Sequence, residues 1–238
     1  MKSFFLCLLL LFSFAISGFA QRSDPFTMQL QNLYSGEAID VYDLRNQKQE
    51  GTLYWNPEWA KGTVKLKNGG KVDALPMRFD LMGQGLEIFL GSETKLLPGS
   101  MIEEFYLEGP LGGLHHFVNL SPYFGFQGFS DGFFEVMIED DWTLLQKAEI
   151  EVLKPNYVVA LDAGNMNQSI IRKDVYYLFH DGELVRIPKQ KKKAMRVLGD
   201  YVADIDDRVK VQKLNLKQEA SLRKLVLALN EEGEDTSR

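Results

Sequence analysis

The sequence predicts an α+β protein, mainly antiparallel β. It should form a curled meander sheet, either a half-barrel or two layers, followed by C-terminal helices. Three observations lead there. From about Glu37 to Pro188 apolar residues recur with a period of two, interrupted by short Gly-, Asn- and Asp-rich turns. No long helical segment separates these runs, so neighbouring strands must pair antiparallel. The last fifty or so residues change to a helical period.

The elements follow in order. Residues 21–36 are polar and turn-rich and read as a linker or arm. Thr63–Lys67 alternates, Asn68-Gly69-Gly70 turns, and Lys71–Leu75 returns. Asn and Gly supply the positive φ that tight hairpins need. Met77–Leu81 and Leu86–Leu90 flank Gly83-Gln84-Gly85 in the same way, and Phe133–Ile138 and Trp142–Gln146 flank the acidic turn Glu139-Asp140-Asp141. Val175–Phe179 and Leu184–Ile187 flank His180-Asp181-Gly182-Glu183. About eight to eleven strands are expected, enough to curl or split the sheet. Pro188 ends the last strand. A Lys-rich helix then runs to Leu198, with Gly199 as its stop, and a second helical segment covers Asp200 to about Gln212. In the third, Asn215 and Gln218 resemble a capping box, and Leu222, Leu225, Val226 and Leu229 form one apolar face. Residues 37–230 thus read as one β-rich domain with helices at about 189–230, and the acidic residues 231–238 read as a disordered tail.

The N-terminus carries an address. Lys2 precedes an uncharged apolar run from Phe4 to Ile16, and Ser17-Gly18-Phe19-Ala20 offers small residues before Gln21. This is the layout of a secretory signal peptide over residues 1–20. The run is shorter than the roughly 20 residues that span a bilayer. Cys7, the one cysteine, lies inside it, far from the position of a lipidated cysteine, so the mature chain is cysteine-free. Export to the periplasm or beyond, in soluble form, is the expectation. A formal net charge of −6 argues against a nucleic acid partner.

Two stretches resemble an uncharacterised group of secreted envelope proteins of the Bacteroidetes. One is Tyr54-Trp55-Asn56-Pro57-Glu58-Trp59-Ala60-Lys61-Gly62-Thr63-Val64 with Leu75-Pro76-Met77-Arg78-Phe79-Asp80. The other runs from Val175-Tyr176-Tyr177-Leu178 through the Lys-rich helix to Lys213-Leu214-Asn215-Leu216-Lys217. The resemblance implies a Gram-negative envelope location and carries no activity, cofactor or site residue.

Chemistry-bearing patterns are few. Residues 117–134 hold seven aromatics, where 12% overall would give about two. They are interleaved with Pro122, Gly125, Gly128 and Gly132. Tyr123, Phe124, Phe126 and Phe129 are therefore candidate contacts for a partner or ligand. The alternative is a loop that buries its rings over one end of the sheet. His115 and His116 point to opposite faces if their segment is a strand, one packed and one exposed, and no metal-binding spacing accompanies them. Glu139-Asp140-Asp141 reads as a solvated turn, and Asp204, Asp206 and Asp207 as a helix surface. No nucleophile elbow, Walker loop or dinucleotide fingerprint occurs. No catalytic residue, metal or cofactor is assigned. The basic run Lys189–Lys193 reads as a solvated helix face, although lysines in a first turn oppose the helix dipole.

Three functions remain open. The first is a non-enzymatic module binding an envelope protein or glycan. The second is a periplasmic carrier of an apolar ligand, and the third is a polymer hydrolase.

Overall fold

The computed structural model describes residues 49–236 except 129–131, 155, 157–160, 162 and 166. The residues read as signal peptide and arm, with Cys7, Phe129 and the end of the expected tail, lie outside the described residues. The described part falls within one compact unit.

Eleven strands form a single sheet. They are β1 (Gln49–Glu50), β2 (Ala60–Leu66), β3 (Lys71–Asp80), β4 (Gly85–Phe89), β5 (Thr94–Pro98), β6 (Ile102–Glu108), β7 (Leu114–Val118), β8 (Phe134–Ile138), β9 (Thr143–Leu153), β10 (Gln168–His180) and β11 (Glu183–Ile187). The order is β1-β10-β9-β8-β7-β6-β2-β3-β4-β5, with β11 also on β10. All pairings are antiparallel except that of β1. The turns form where expected: Gly69 takes φ 84°, and Asp181 and Gly182 take φ 49° and 77°.

The curl follows from chain length. In the sheet order β5 and β6 lie four strand spacings apart, about 19 Å if flat. Only Gly99–Met101 joins them, and from Pro98 to Ile102 the chain reaches at most about 14 Å. The sheet must roll, yet β5 and β6 do not pair, so the roll stays open. One strand departs from expectation. Lys71–Leu75 and Met77–Leu81 are not separate strands but the two halves of β3, which pairs with β2 over Lys71–Met77 and with β4 over Met77–Asp80. Ala74 at φ 55° lets it bend without ending.

Inside the roll, Phe79, Phe105, Phe117 and Phe133 are buried and interlocked at centroid distances of 4.7–5.8 Å. The same face continues across β8–β11, where helices cover it: α1 is the short Leu120–Phe124 turn on the opposite face, and α2 (Lys191–Gly199), α3 (Ile205–Val211) and α4 (Glu219–Thr236) form the cover. Leu222, Leu225, Val226 and Leu229 are buried, as the stripe predicts. Two terminal details are corrected. α4 starts at Glu219, later than a cap at Asn215 would place it, because the Asn215 side chain accepts from the Lys217 N–H and forms a turn. The expected tail is helical as far as Thr236, held where Arg208 donates to both carboxylate oxygens of Glu232 at 2.6 and 2.7 Å.

Candidate functional site

One row of cross-strand partners explains where the sheet opens. Val64, Phe105, Phe117, Glu135, Gln146, Tyr176 and Ile187 face one another in succession from β2 to β11. The row is apolar at its ends, under the aromatic cluster and under the helices. Its centre is Glu135 and Gln146, both buried. There neither filling covers the face, and a cleft of about 340 Å³ remains.

Each wall is fixed by an identifiable contact. Trp55 comes from the segment before β2. Its N–H donates to the Phe79 carbonyl, and its ring meets His115 and Phe117 edge-on at 4.7 and 5.2 Å. His115 Nδ1 pairs with Glu135 Oε1 at 2.6 Å. Arg172 Nε donates to Asp174 at 2.9 Å and its Nη1 to the Trp55 carbonyl at 3.2 Å. From α4, Arg223 Nε donates to Glu219 at 2.8 Å and Nη1 to the Met137 carbonyl at 2.6 Å. Two arginine–carboxylate pairs and one imidazole–carboxylate pair therefore line the cleft, and each satisfies itself.

The rim is the β6–β7 hairpin. Its turn is closed by Gly109 N–H to the Gly113 carbonyl at 2.9 Å and Gly112 N–H to the Gly109 carbonyl at 3.0 Å. Gly112 and Gly113 take φ 84° and 85°, which only glycine adopts freely. Leu111 at the tip is 100% exposed and Leu114 is 66% exposed. Leu114 borders a second open cleft of about 320 Å³ with Ala74 and Tyr106. Gly109 packs against His115 so closely that a Cβ there would lie 2.4 Å from Nε2. The second imidazole nitrogen therefore faces hairpin backbone.

His116 occupies the opposite face, as strand alternation requires. It is not a free partner of His115: its Nε2 meets Glu104 at 2.7 Å and its ring stacks on Tyr106 at 4.2 Å. The expectation of one packed and one exposed histidine is corrected, since both are half-buried and each has a carboxylate. Burial, reinforced by Glu104, pushes the Tyr106 hydroxyl up to about 12. Tyr123, whose hydroxyl donates to Glu139 at 3.0 Å, is raised further, by burial first and then by that bond.

The structure gathers three of the aromatic candidates on this second face. Phe124 and Phe126 pack on Phe179 at 4.9 and 6.2 Å, and with Tyr123 they cover Val118, Leu120, Phe134 and Leu145. All three are half-buried; Phe129 lies outside the described residues. Sequence reasoning missed Glu135, Trp55, Arg172 and Arg223. Only Glu135 carried a local signal, as a lone carboxylate inside Phe133-Phe134-Glu135-Val136-Met137-Ile138.

Among the described residues no group of three or more His, Cys, Asp or Glu side chains is placed to hold a metal ion, and no helix is long and apolar enough to cross a membrane. The chain matches no protein-family model, no curated protein and no solved structure.

Proposed function

We propose that this chain is a non-enzymatic binding module of the bacterial cell envelope, exported by its N-terminal signal, that docks another protein at the β6–β7 hairpin and the cleft beside it. The observation that carries this reading is Leu111, wholly exposed at the tip of a turn whose backbone is pinned. An apolar anchor on a fixed loop, beside charges already paired among themselves, fits the anchor-and-rim pattern of protein interfaces. Burying one leucine contributes roughly 1.5–3 kcal/mol. A branched aliphatic tip suits a protein better than a glycan, which would favour flat exposed rings.

The other readings have less support. A carrier would need space inside the roll, which four phenylalanine rings fill. A hydrolase would need a base facing its substrate, whereas His115 turns one nitrogen to Glu135 and the other to Gly109. The test is photo-crosslinking in the cells that make the protein, with the reactive residue at 111 and, as control, at Val211, which is 81% exposed on α3. One defined partner from position 111 alone, lost when Leu114→Asp is added to the same chain, is the expected result. Identical products from both positions would end the proposal.

A further inference from the structure

Strand β10 is paired unequally on its two edges. Toward β9 it is bonded from Ser169 to Phe179. On the other edge β1 meets only Gln168 and Ser169, and β11 covers Tyr176 to His180. The register identifies the groups left between them. Asp181-Gly182 is a two-residue turn with both φ positive, so His180 and Glu183 are a hydrogen-bonded pair. In an antiparallel ladder the bonded positions alternate. Even-numbered residues of β10 therefore point their backbone groups toward β11, and odd-numbered ones toward β9. Arg172 and Asp174 share the parity of Tyr176, so their N–H and C=O face the open edge, where no strand pairs with them among the described residues. Strand β11 does not cover them, because its pairing with β10 ends at Ile187, opposite Tyr176.

This edge borders a notch of about 290 Å³, closed on its far side by Ile187–Lys189 and by Leu216 and Lys217. The notch is cationic. Lys189 and Lys217 are exposed and have no ion-pair partner among the described residues. Lys173 is paired with Glu151, and Arg172 with Asp174, the one carboxylate lining the notch. Lys191, Lys192 and Lys193 follow directly in the first turn of α2, with no acidic residue to balance them. A surplus of cations around unpaired strand groups is matched by a backbone that can pair and side chains that are acidic.

We propose that the edge of β10 between Ile170 and Tyr176 accepts an extended acidic segment of a partner protein as an added strand. Its backbone bonds Arg172 and Asp174, and its carboxylates meet Lys189 and Lys217. This proposal does not depend on the hairpin reading, and Leu111→Asp leaves it untouched.

Amide hydrogen exchange by NMR tests it, with the peptide acetyl-Glu-Val-Glu-Val-Glu-amide as probe on the mature chain. In the free protein the Arg172 and Asp174 amides exchange fast, while those of Lys173 and Val175 are protected by β9. At millimolar peptide the first two should slow by about tenfold or more and the second two should not change. The Lys189→Glu/Lys217→Glu variant should weaken this by about tenfold at unchanged thermal stability, and a Lys-Val peptide should give no protection. Unchanged Arg172 and Asp174 rates overturn the proposal. So does peptide binding without their protection, which would mark a plain polyanion surface such as nucleic acid or lipid would use, and so does equal protection by the Lys-Val peptide.

Discussion

Replacing Asn230 by alanine and by aspartate measures how α4, which carries the Glu219 and Arg223 wall of the cleft, is locked to the sheet. Asn230 is 9% exposed and stands in for a neighbouring strand: its Oδ1 accepts the Trp142 N–H at 2.8 Å, and its Nδ2 donates to the Trp142 carbonyl at 2.9 Å. Alanine removes both bonds and strands both backbone groups against protein. At roughly 1 kcal/mol per bond plus part of the desolvation of the stranded groups, the cost is about 2–3 kcal/mol. Aspartate keeps the first bond and turns its second oxygen toward the Trp142 carbonyl. The two acceptors repel, and burial adds to the penalty on the charged form, so folding raises this carboxyl above its unfolded value of about 3.9. A group raised by folding loses stability as pH climbs from the unfolded toward the folded pKa. A rise of about two units is worth about 3 kcal/mol once titration is complete, and only about 1 kcal/mol at pH ~4.5. Urea unfolding followed by tryptophan fluorescence at pH ~4.5 and ~7.5 reads the difference. Asn230→Ala should shift equally at both, and Asn230→Asp should lose about 2 kcal/mol more at the higher pH. An aspartate variant indifferent to pH, or an alanine variant within about 0.5 kcal/mol of the parent, would refute the bridging role.

Three further outcomes are expected. Phe105→Ala removes the ring that touches Phe79, Phe117 and Phe133 at 5.1, 4.7 and 5.0 Å; equilibrium unfolding should show a loss of about 3–5 kcal/mol, and a loss below about 1 would mean the roll is not filled as described. Gly109→Ala places a methyl group against His115, so the imidazole should leave Glu135 and its nitrogen shifts should change, with about 1–3 kcal/mol lost by the buried carboxylate; unaltered imidazole shifts would contradict the contact. Tyr106, raised to about 12, and Tyr123, raised further, favour the folded state while protonated. Their contribution is whole below the unfolded value of about 10 and is lost as pH rises through the folded values. Absorbance at 295 nm should show a late tyrosinate step that Tyr106→Phe/Tyr123→Phe removes, and a single native step near 10 would count against it.

The hairpins at Asn68-Gly69 and Asp181-Gly182 were legible because a positive φ is a local demand that only a few residue types meet. The stripe of Leu222, Leu225, Val226 and Leu229 was legible because helical period and burial coincide. Strands β5 to β7 went unnamed because their turns use Pro98-Gly99 and Gly109–Gly113, which read equally well as loop. The aromatic run from Phe117 to Phe134 divides between two cores, which its spacing does not reveal: Phe117 and Phe133 fill the roll, while Phe124 and Phe126 cover the opposite face.

The sequence by itself determined the class of fold, the antiparallel meander, the helical C-terminus and the candidate export signal, because alternation, turn chemistry and helical period act over neighbouring residues. Only the tertiary structure decided that Glu135 and Gln146 stand at the gap between two fillings, that Trp55 and Arg223 reach the same cleft, and that β10 keeps an open edge. Those facts depend on which strands become neighbours. That choice is constrained by a three-residue link that forces the sheet to roll, an effect that is not visible until distant segments meet.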